Sequence, residues 1–194
     1  MSRSATRRVR HQRIGVELEM NPLLTDEDLA RRLDVSVSTV RLDRALMGIP
    51  EVRERMKAMA GRAVRKLRSL KQEEIIGDLL ELEPNAWALS SFTTTRDMAF
   101  RHTGFVSDHY IYAQASSLAV AVIEADMVVT GSARVRYKNP ARVGERLISR
   151  AKVGIRKGNK IVVSVRTRVE ENEIFVGRFI TVITTCDEAE TGKG

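Results

Sequence analysis

The sequence predicts an α+β protein: an all-α N-terminal third, an amphipathic connecting helix, and an antiparallel sheet wrapped around one central helix. Three observations predict it. Residues 1–50 carry short helical patterns with start and stop signals. Basic charge is concentrated at that end, where residues 1–70 hold sixteen Lys and Arg against nine Asp and Glu, and residues 71–194 hold seventeen against sixteen. After about residue 74 the pattern becomes β-rich around one strongly apolar stretch.

Composition bounds the function. An apolar share of 43% is enough for a packed core. The longest apolar run, LAVAVI, is far short of the ~20 residues of a membrane span, so no membrane partner is expected. Residues 1–13 are arginine-rich with no apolar run behind them, unlike a signal segment. The single cysteine, Cys186, excludes an internal disulfide and fits a reducing compartment. The expectation is a soluble cytoplasmic protein. No Cys/His cluster has metal-ligand spacing and no glycine-rich phosphate loop is present, so neither metal nor resident cofactor is expected. The net charge of +8, held largely by the first third, points to a polyanionic partner there.

A first helix is predicted from about Thr6 to Glu19, with Val9, Ile14 and Leu18 as its sparse apolar positions. Thr25 followed by Asp26, Glu27 and Asp28 reads as a helix start, a hydroxyl cap and then acids in the first turn. Leu29, Ala30 and Leu33 give this second helix its apolar face. Asp34-Val35-Ser36 interrupts it, and a third helix runs from about Val37 to Leu46, with Val37, Val40 and Leu42 turned inward. Gly48 and Pro50 end it. Two short helices about a tight turn form a helix-turn-helix, whose second helix enters the DNA major groove. Its expected exposed residues are Ser36, Ser38, Thr39, Arg41, Asp43 and Arg44, with Arg7, Arg8, Arg10 and Arg13 adding phosphate contacts. The DNA-binding set is therefore Arg7, Arg8, Ser36, Ser38, Thr39, Arg41 and Arg44.

Residues 51–72 predict an amphipathic linker helix, because Val52, Met56, Met59, Ala63, Leu67 and Leu70 recur every three or four residues. Such a narrow stripe suits an ordinary surface helix, pairing in a dimer, or docking on the second domain. Beyond it, IIGDLLELEP and AWALSSFT read as extended, and TTRDMAFRHTGF as a loop with a helical turn. SDHYIYAQASSLAVAVIEA, residues 107–125, is the one strong helix. Four β-rich runs follow it, separated by NPARVGE, KGN and EEN. In KIVVSVRTRVE, Val163 and Val165 face opposite to Ser164 and Arg166. One helix followed by a meander of antiparallel strands is the hot-dog arrangement. The division expected is residues 1–50 helix-turn-helix, 51–72 linker, 73–186 sheet domain and 187–194 disordered tail.

At this point a family resemblance becomes specific. YAQASSLAVAVIEA, a strand, and then KNPARVGERLISRAKV resemble the effector domain of the FapR family. LLTDEDLARRLDVSVSTVRLDRALMGIPEVRERMK resembles that family's DeoR-like helix-turn-helix and linker helix. The likeness spans nearly the whole chain in one order. It implies a homodimeric bacterial repressor of fatty-acid and phospholipid synthesis genes that binds operator DNA and leaves it when malonyl-CoA, or a related acyl-CoA, enters the hot-dog domain. The ligand-binding set it implies is Phe105, Val106, Ser107, Asp108, Tyr112, Gln114 and Ser116.

The chain departs from the family's pattern where an arginine and a glycine precede the central helix and an asparagine lies within it. Aligned on YAQA, those positions are Ser107, Asp108 and Ser116. An arginine pairs with the free carboxylate of a malonyl thioester through two charge-assisted hydrogen bonds. Ser107 offers one neutral bond, and Asp108 brings a like charge. Arg101 or His102 are alternative cations. Many hot-dog proteins are thioesterases in which a carboxylate by the central helix does the chemistry. Here the in-helix acid position is Ser116, Asp108 suits an N-cap, and Asp108-His109 makes no triad, so no catalytic residue is expected. Lys138, Arg142, Arg156 and Lys157 are candidate contacts for the phosphates of coenzyme A or solvated charges. Trp87 is expected in the core, and Cys186 to be inert.

Overall fold

The computed structural model describes residues 3–185, with side chains from Arg7 onward. The expected tail and Cys186 lie outside the described residues. The chain divides into two compact units, residues 1–59 and 60–194.

The first unit contains α1 (Arg3–Met20), α2 (Asp26–Leu33), α3 (Val37–Leu46) and the beginning of α4 (Val52–Val64). Ile14, Leu18, Leu24, Leu29, Ala30, Leu33 and Val40 form its buried core. Of the three apolar positions named on α1, Val9 is 58% exposed, and Ile14 and Leu18 alone enter the core. Gly48 closes α3 at φ 67°, a conformation that glycine adopts without strain. The start of α4 is fastened to this unit through Arg55, which donates to the carbonyls of Pro22 at 3.0 Å and Leu24 at 2.6 Å.

The helix of α4 ends at Val64, short of the expected 72, and the division between units falls within it, between Met59 and Ala60. Leu67 and Leu70 continue its spacing, but they lie beyond the helix and pack against the core of the second unit. The apolar period of three or four therefore persists past the end of the helix.

The second unit is one antiparallel sheet and one helix. β1 (Asp78–Glu83), β2 (Trp87–Thr93), β3 (Val128–Tyr137), β4 (Arg146–Lys157), β5 (Lys160–Val169) and β6 (Asn172–Ile183) lie in the order β1-β2-β4-β5-β6-β3. α5 (Asp108–Ala121) contacts β2, β3, β4, β5 and β6, so the sheet enfolds it in the hot-dog arrangement. Alternation dictates this. Val163, Val165 and Thr167 of β5 are buried while Ser164, Arg166 and Arg168 are exposed. On β6, Phe175 and Phe179 share the inner face with Gly177, where an added Cβ would stand 2.5 Å from the Phe179 ring. Trp87 is half-buried on β2, with the Arg150 guanidinium 5.0 Å from its ring centre.

Candidate nucleic-acid interface and effector site

The two-helix hairpin is set by side-chain caps. Asp28 N–H donates to Thr25 Oγ1 at 3.1 Å and Thr25 N–H donates to Asp28 Oδ2 at 3.0 Å, a reciprocal box that starts α2. Asp34 ends it in the left-handed conformation at φ 54° and turns the chain. Ser36 then caps α3 by accepting from Thr39 N–H at 3.2 Å. Its hydroxyl also lies 2.9 Å from that of Ser38 and 2.8 Å from that of Thr39. Ser36 and Ser38 are exposed and Thr39 is half-buried, so these three hydroxyls gather at the outer start of α3. Arg7 and Arg8 are exposed on α1.

Arg41 and Arg44, equivalent in the sequence, separate here. Arg41 is 62% exposed, with Asp26 and Glu27 no closer than 3.5 Å. Arg44 is buried, donating to both oxygens of Asp26 at 2.8 and 3.1 Å and to the Ile49 carbonyl at 2.8 Å. The Arg44 bonds hold the Asp26 carboxyl below its ordinary range against the opposing effect of burial. Asp43, expected outside, is 1% exposed. It receives Arg10 at both oxygens, the Nη2 contact being 3.1 Å, and His11 Nε2 at 2.9 Å. Burial alone pushes the Asp43 carboxyl up, but these bonds together bring it below the usual value. Arg44 and Asp43 thus tie helices together, and Arg10 is committed to Asp43 rather than held free for phosphate. Leu42, expected inside, is 62% exposed.

The second site lies at the entrance to α5. Val106 N–H donates to the Ala141 carbonyl at 2.8 Å and Ser107 N–H to the Met98 carbonyl at 2.9 Å, which pins the segment before the helix. Phe105 bridges to Arg142, whose guanidinium stands 4.9 Å from the Phe105 ring centre. The N-cap residue is Ser107, and Asp108, expected there, is the first residue of the helix. Ser107 makes no capping bond, because its Oγ lies 2.7 Å from His109 Nδ1. Asp108 and His109 are exposed. Asp108, Tyr112 and Ser116 recur every four residues and so share one face of α5. Tyr137 of β3 donates to the Asp108 carbonyl at 3.4 Å, and the Tyr112 ring is 5.9 Å from Phe179 of β6. Burial, and then the nearby Asp108 charge, raise the Tyr137 hydroxyl above its ordinary value.

Gln114 stands apart from that stripe. It is fully buried, its Nε2 donates to Ser90 Oγ at 3.1 Å, and its Oε1 has no partner. Ser90 pairs with Ser149 across β2 and β4, and Ser149 pairs with Thr167 across β4 and β5. The Ser149 and Thr167 hydroxyls are 2.7 Å apart. This buried polar row escaped the sequence reading, although Ser149 alternates with inward Leu147 and Ala151 and could have been found that way. Among the other expected cations, Lys138 is engaged by Glu173, while Arg101, His102 and Lys157 are exposed. Arg156 donates to the Gly158 carbonyl at 3.2 Å. Among the described residues no helix is long and apolar enough to cross a membrane.

No protein-family model matches the chain. Among solved structures it is similar to a sigma28-regulated virulence protein of Campylobacter jejuni, with TM-score 0.58 and 26% identity over 63% of this chain and 96% of that one. It is also similar to an uncharacterized protein of Pyrococcus horikoshii, with TM-score 0.55 and 25% identity over 57% and 84%. Both matches cover only part of this chain. Full-length similarity is to proteins named transcription factor FapR. One from a Thermoanaerobacter species is 44% identical over 176 residues, 90% of this chain and 88% of the relative. The Geobacillus thermodenitrificans protein is 40% identical over 90% and 89%. That of Halalkalibacterium halodurans is 36% identical over 93% and 96%. With a helix-turn-helix and a hot-dog domain in the same order along matched lengths, the chain belongs to the FapR family of transcription factors.

Proposed function

We propose that the chain is a homodimeric, cytoplasmic repressor of fatty-acid and phospholipid synthesis genes. It binds operator DNA through α3 and leaves it when malonyl-CoA, or a related acyl-CoA, binds the hot-dog domain. The observation that carries the reading is full-length similarity to FapR transcription factors in a chain whose capped α3 exposes Ser38 and Arg41. Two features support the effector half. The Asp108-Tyr112-Ser116 stripe lies on the β3 side of the sheet, through Tyr137 and Phe179. Among the described residues β3 pairs with β6 alone, so its other edge offers backbone groups to a second copy. A dimer joined there encloses the stripe.

The test has two arms. In a gel-shift titration Arg41→Ala weakens operator binding at least tenfold, and unchanged affinity removes α3 as the recognition helix. In calorimetry with malonyl-CoA, acetyl-CoA and a long-chain acyl-CoA, at least one binds and lowers operator affinity; if none does, the effector reading is lost. Because Asp108 adds a negative charge at the entrance, equal affinity for malonyl- and acetyl-CoA means that carboxylate recognition is absent. Arg142 beside Phe105 is the cation whose removal, as Arg142→Ala, weakens binding of either.

A second reading, an acyl-CoA thioesterase carrying a DNA-binding domain, is favoured by one observation, the 2.7 Å contact of Ser107 Oγ with His109 Nδ1. Among the described residues no carboxylate meets the other imidazole nitrogen, so the pair lacks the group that orients the base in a triad. That reading requires thiol release from acyl-CoA that Ser107→Ala or Asp108→Asn abolishes.

A further inference from the structure

The outward face of α3 carries more apolar surface than polar contact with DNA requires. Val40, Asp43 and Arg44 are buried, whereas Ser38, Arg41, Leu42, Ala45 and Leu46 are exposed. Leu42 is 62% and Leu46 59% exposed. At about 100° per residue, Leu42 projects about 160° away from Val40 and so points straight out of the unit. A single exposed leucine calls for no explanation. Leu42, Ala45 and Leu46 form a continuous strip on the one helix that a helix-turn-helix places in the groove.

Charge identifies what covers this strip. Asp43, the only carboxylate of α3, is turned inward, so the helix itself offers one outward positive charge, Arg41, and no outward negative one, the exposed Glu27 of α2 standing 3.5 Å from that guanidinium. That face suits a polyanion. Within the major groove the apolar feature is the C5 methyl group of thymine, and alanine and other apolar side chains are the groups that meet it. Leu42 and Ala45 are about 4.5 Å apart along the helix axis, a little more than one base-pair step of about 3.4 Å. We propose that Leu42 and Ala45 read thymine methyl groups at neighbouring operator positions, beside the contact made by Arg41. The inference rests on α3 being the recognition helix and adds what that helix recognises.

The test uses the full chain and duplexes that it selects from a random pool, followed by fluorescence anisotropy at fixed salt. Each thymine is replaced in turn by deoxyuridine, which removes the methyl group and leaves the hydrogen-bonding edge intact. The expected result is about fourfold weaker binding at one or two adjacent positions per half-site, the factor one buried methyl group contributes. Leu42→Ala retains a strong helix former at an exposed position and removes the thymine preference at one of them. Tight binding with no position sensitive to deoxyuridine overturns the inference while leaving the recognition helix in place. So does a thymine preference that Leu42→Ala and Ala45→Gly leave unchanged. If no duplex is selected at all, the DNA-binding reading itself has failed and this inference falls with it.

Discussion

The two units solve the same problem with different materials. The C-terminal unit buries a large apolar set, including Phe175, Phe179, Leu118 and Leu147, between one helix and six strands. The core cluster of the N-terminal unit holds seven buried apolar residues among those described, a small core as expected for a unit of its size. It adds two carboxylates held between helices, Asp26 by Arg44 and Asp43 by Arg10 and His11. In a small helical unit, charged residues that look like ligand contacts thus serve as ties. The only tryptophan, Trp87, lies in the C-terminal unit. Its fluorescence therefore follows that unit, while circular dichroism at helical wavelengths sums α1 to α4 with α5, so loss of the N-terminal unit is read as the helical signal that falls while the fluorescence holds.

The largest effect tests the apolar side of the contrast. Phe179 is fully buried beside Gly177 and Tyr112, so Phe179→Ala is expected to destabilise the C-terminal unit by about 4 kcal/mol. Denaturant unfolding followed by Trp87 fluorescence checks this, and a loss under about 1 kcal/mol contradicts the core described. Next comes the tie. Arg44→Ala leaves Asp26 with no ion pair among the described residues shorter than the 3.5 Å contact of Arg41, and is expected to destabilise the N-terminal unit by about 2 kcal/mol. Arg41→Ala changes stability by less than about 0.5 kcal/mol, because its contacts are long and exposed. If the two variants lower stability equally, the separation of their roles is wrong.

These two arginines show what the sequence could and could not convey. The hairpin was legible because caps and stops are local: Thr25, Ser36 and Gly48 act within a few residues of themselves. The strands were legible because alternation is a property of the strand alone. The fates of Asp43 and Arg44 were not, since their partners Arg10, His11 and Asp26 stand on other helices, 18 to 33 positions away. The end of α4 was hidden for a related reason: Leu67 and Leu70 keep helical spacing but answer to the sheet's core. In the C-terminal unit the motif located the entrance of α5, but not the Ser90-Ser149-Thr167 row, which only strand register assembles.

Acid tests the tie at Asp43. Its folded-state pKa lies below the ordinary carboxylate value, so its contribution is fully present above that value, near pH 4, and is lost as pH falls through the folded-state pKa. The helical signal of the N-terminal unit is expected to lose stability on acidification from pH 5 toward pH 3, as Asp26 and Asp43 protonate. Asp43→Asn removes about 1 kcal/mol at pH 7 and makes the acid slope shallower. An unchanged slope means that the Asp43 network does not hold the helices.

The smallest effect sharpens the comparison most, because the same grouping occurs in both units. Glu173 of β6 accepts from Lys138 and from Arg166 at 2.8 Å, one carboxylate between two bases, like Asp43. Its partners' side chains are 41% and 62% exposed, against 19% and 25% for Arg10 and His11. Both bases hold the Glu173 carboxyl below its ordinary range, yet in water the gain is screened and the long side chains lose freedom. Glu173→Gln is therefore expected to alter the stability of the C-terminal unit by no more than about 0.5 kcal/mol, and added salt to reduce even that. Chemical identity matters less than exposure if this holds. A Glu173→Gln loss equal to that of Asp43→Asn would show instead that an ion triad contributes the same on an open strand as between packed helices.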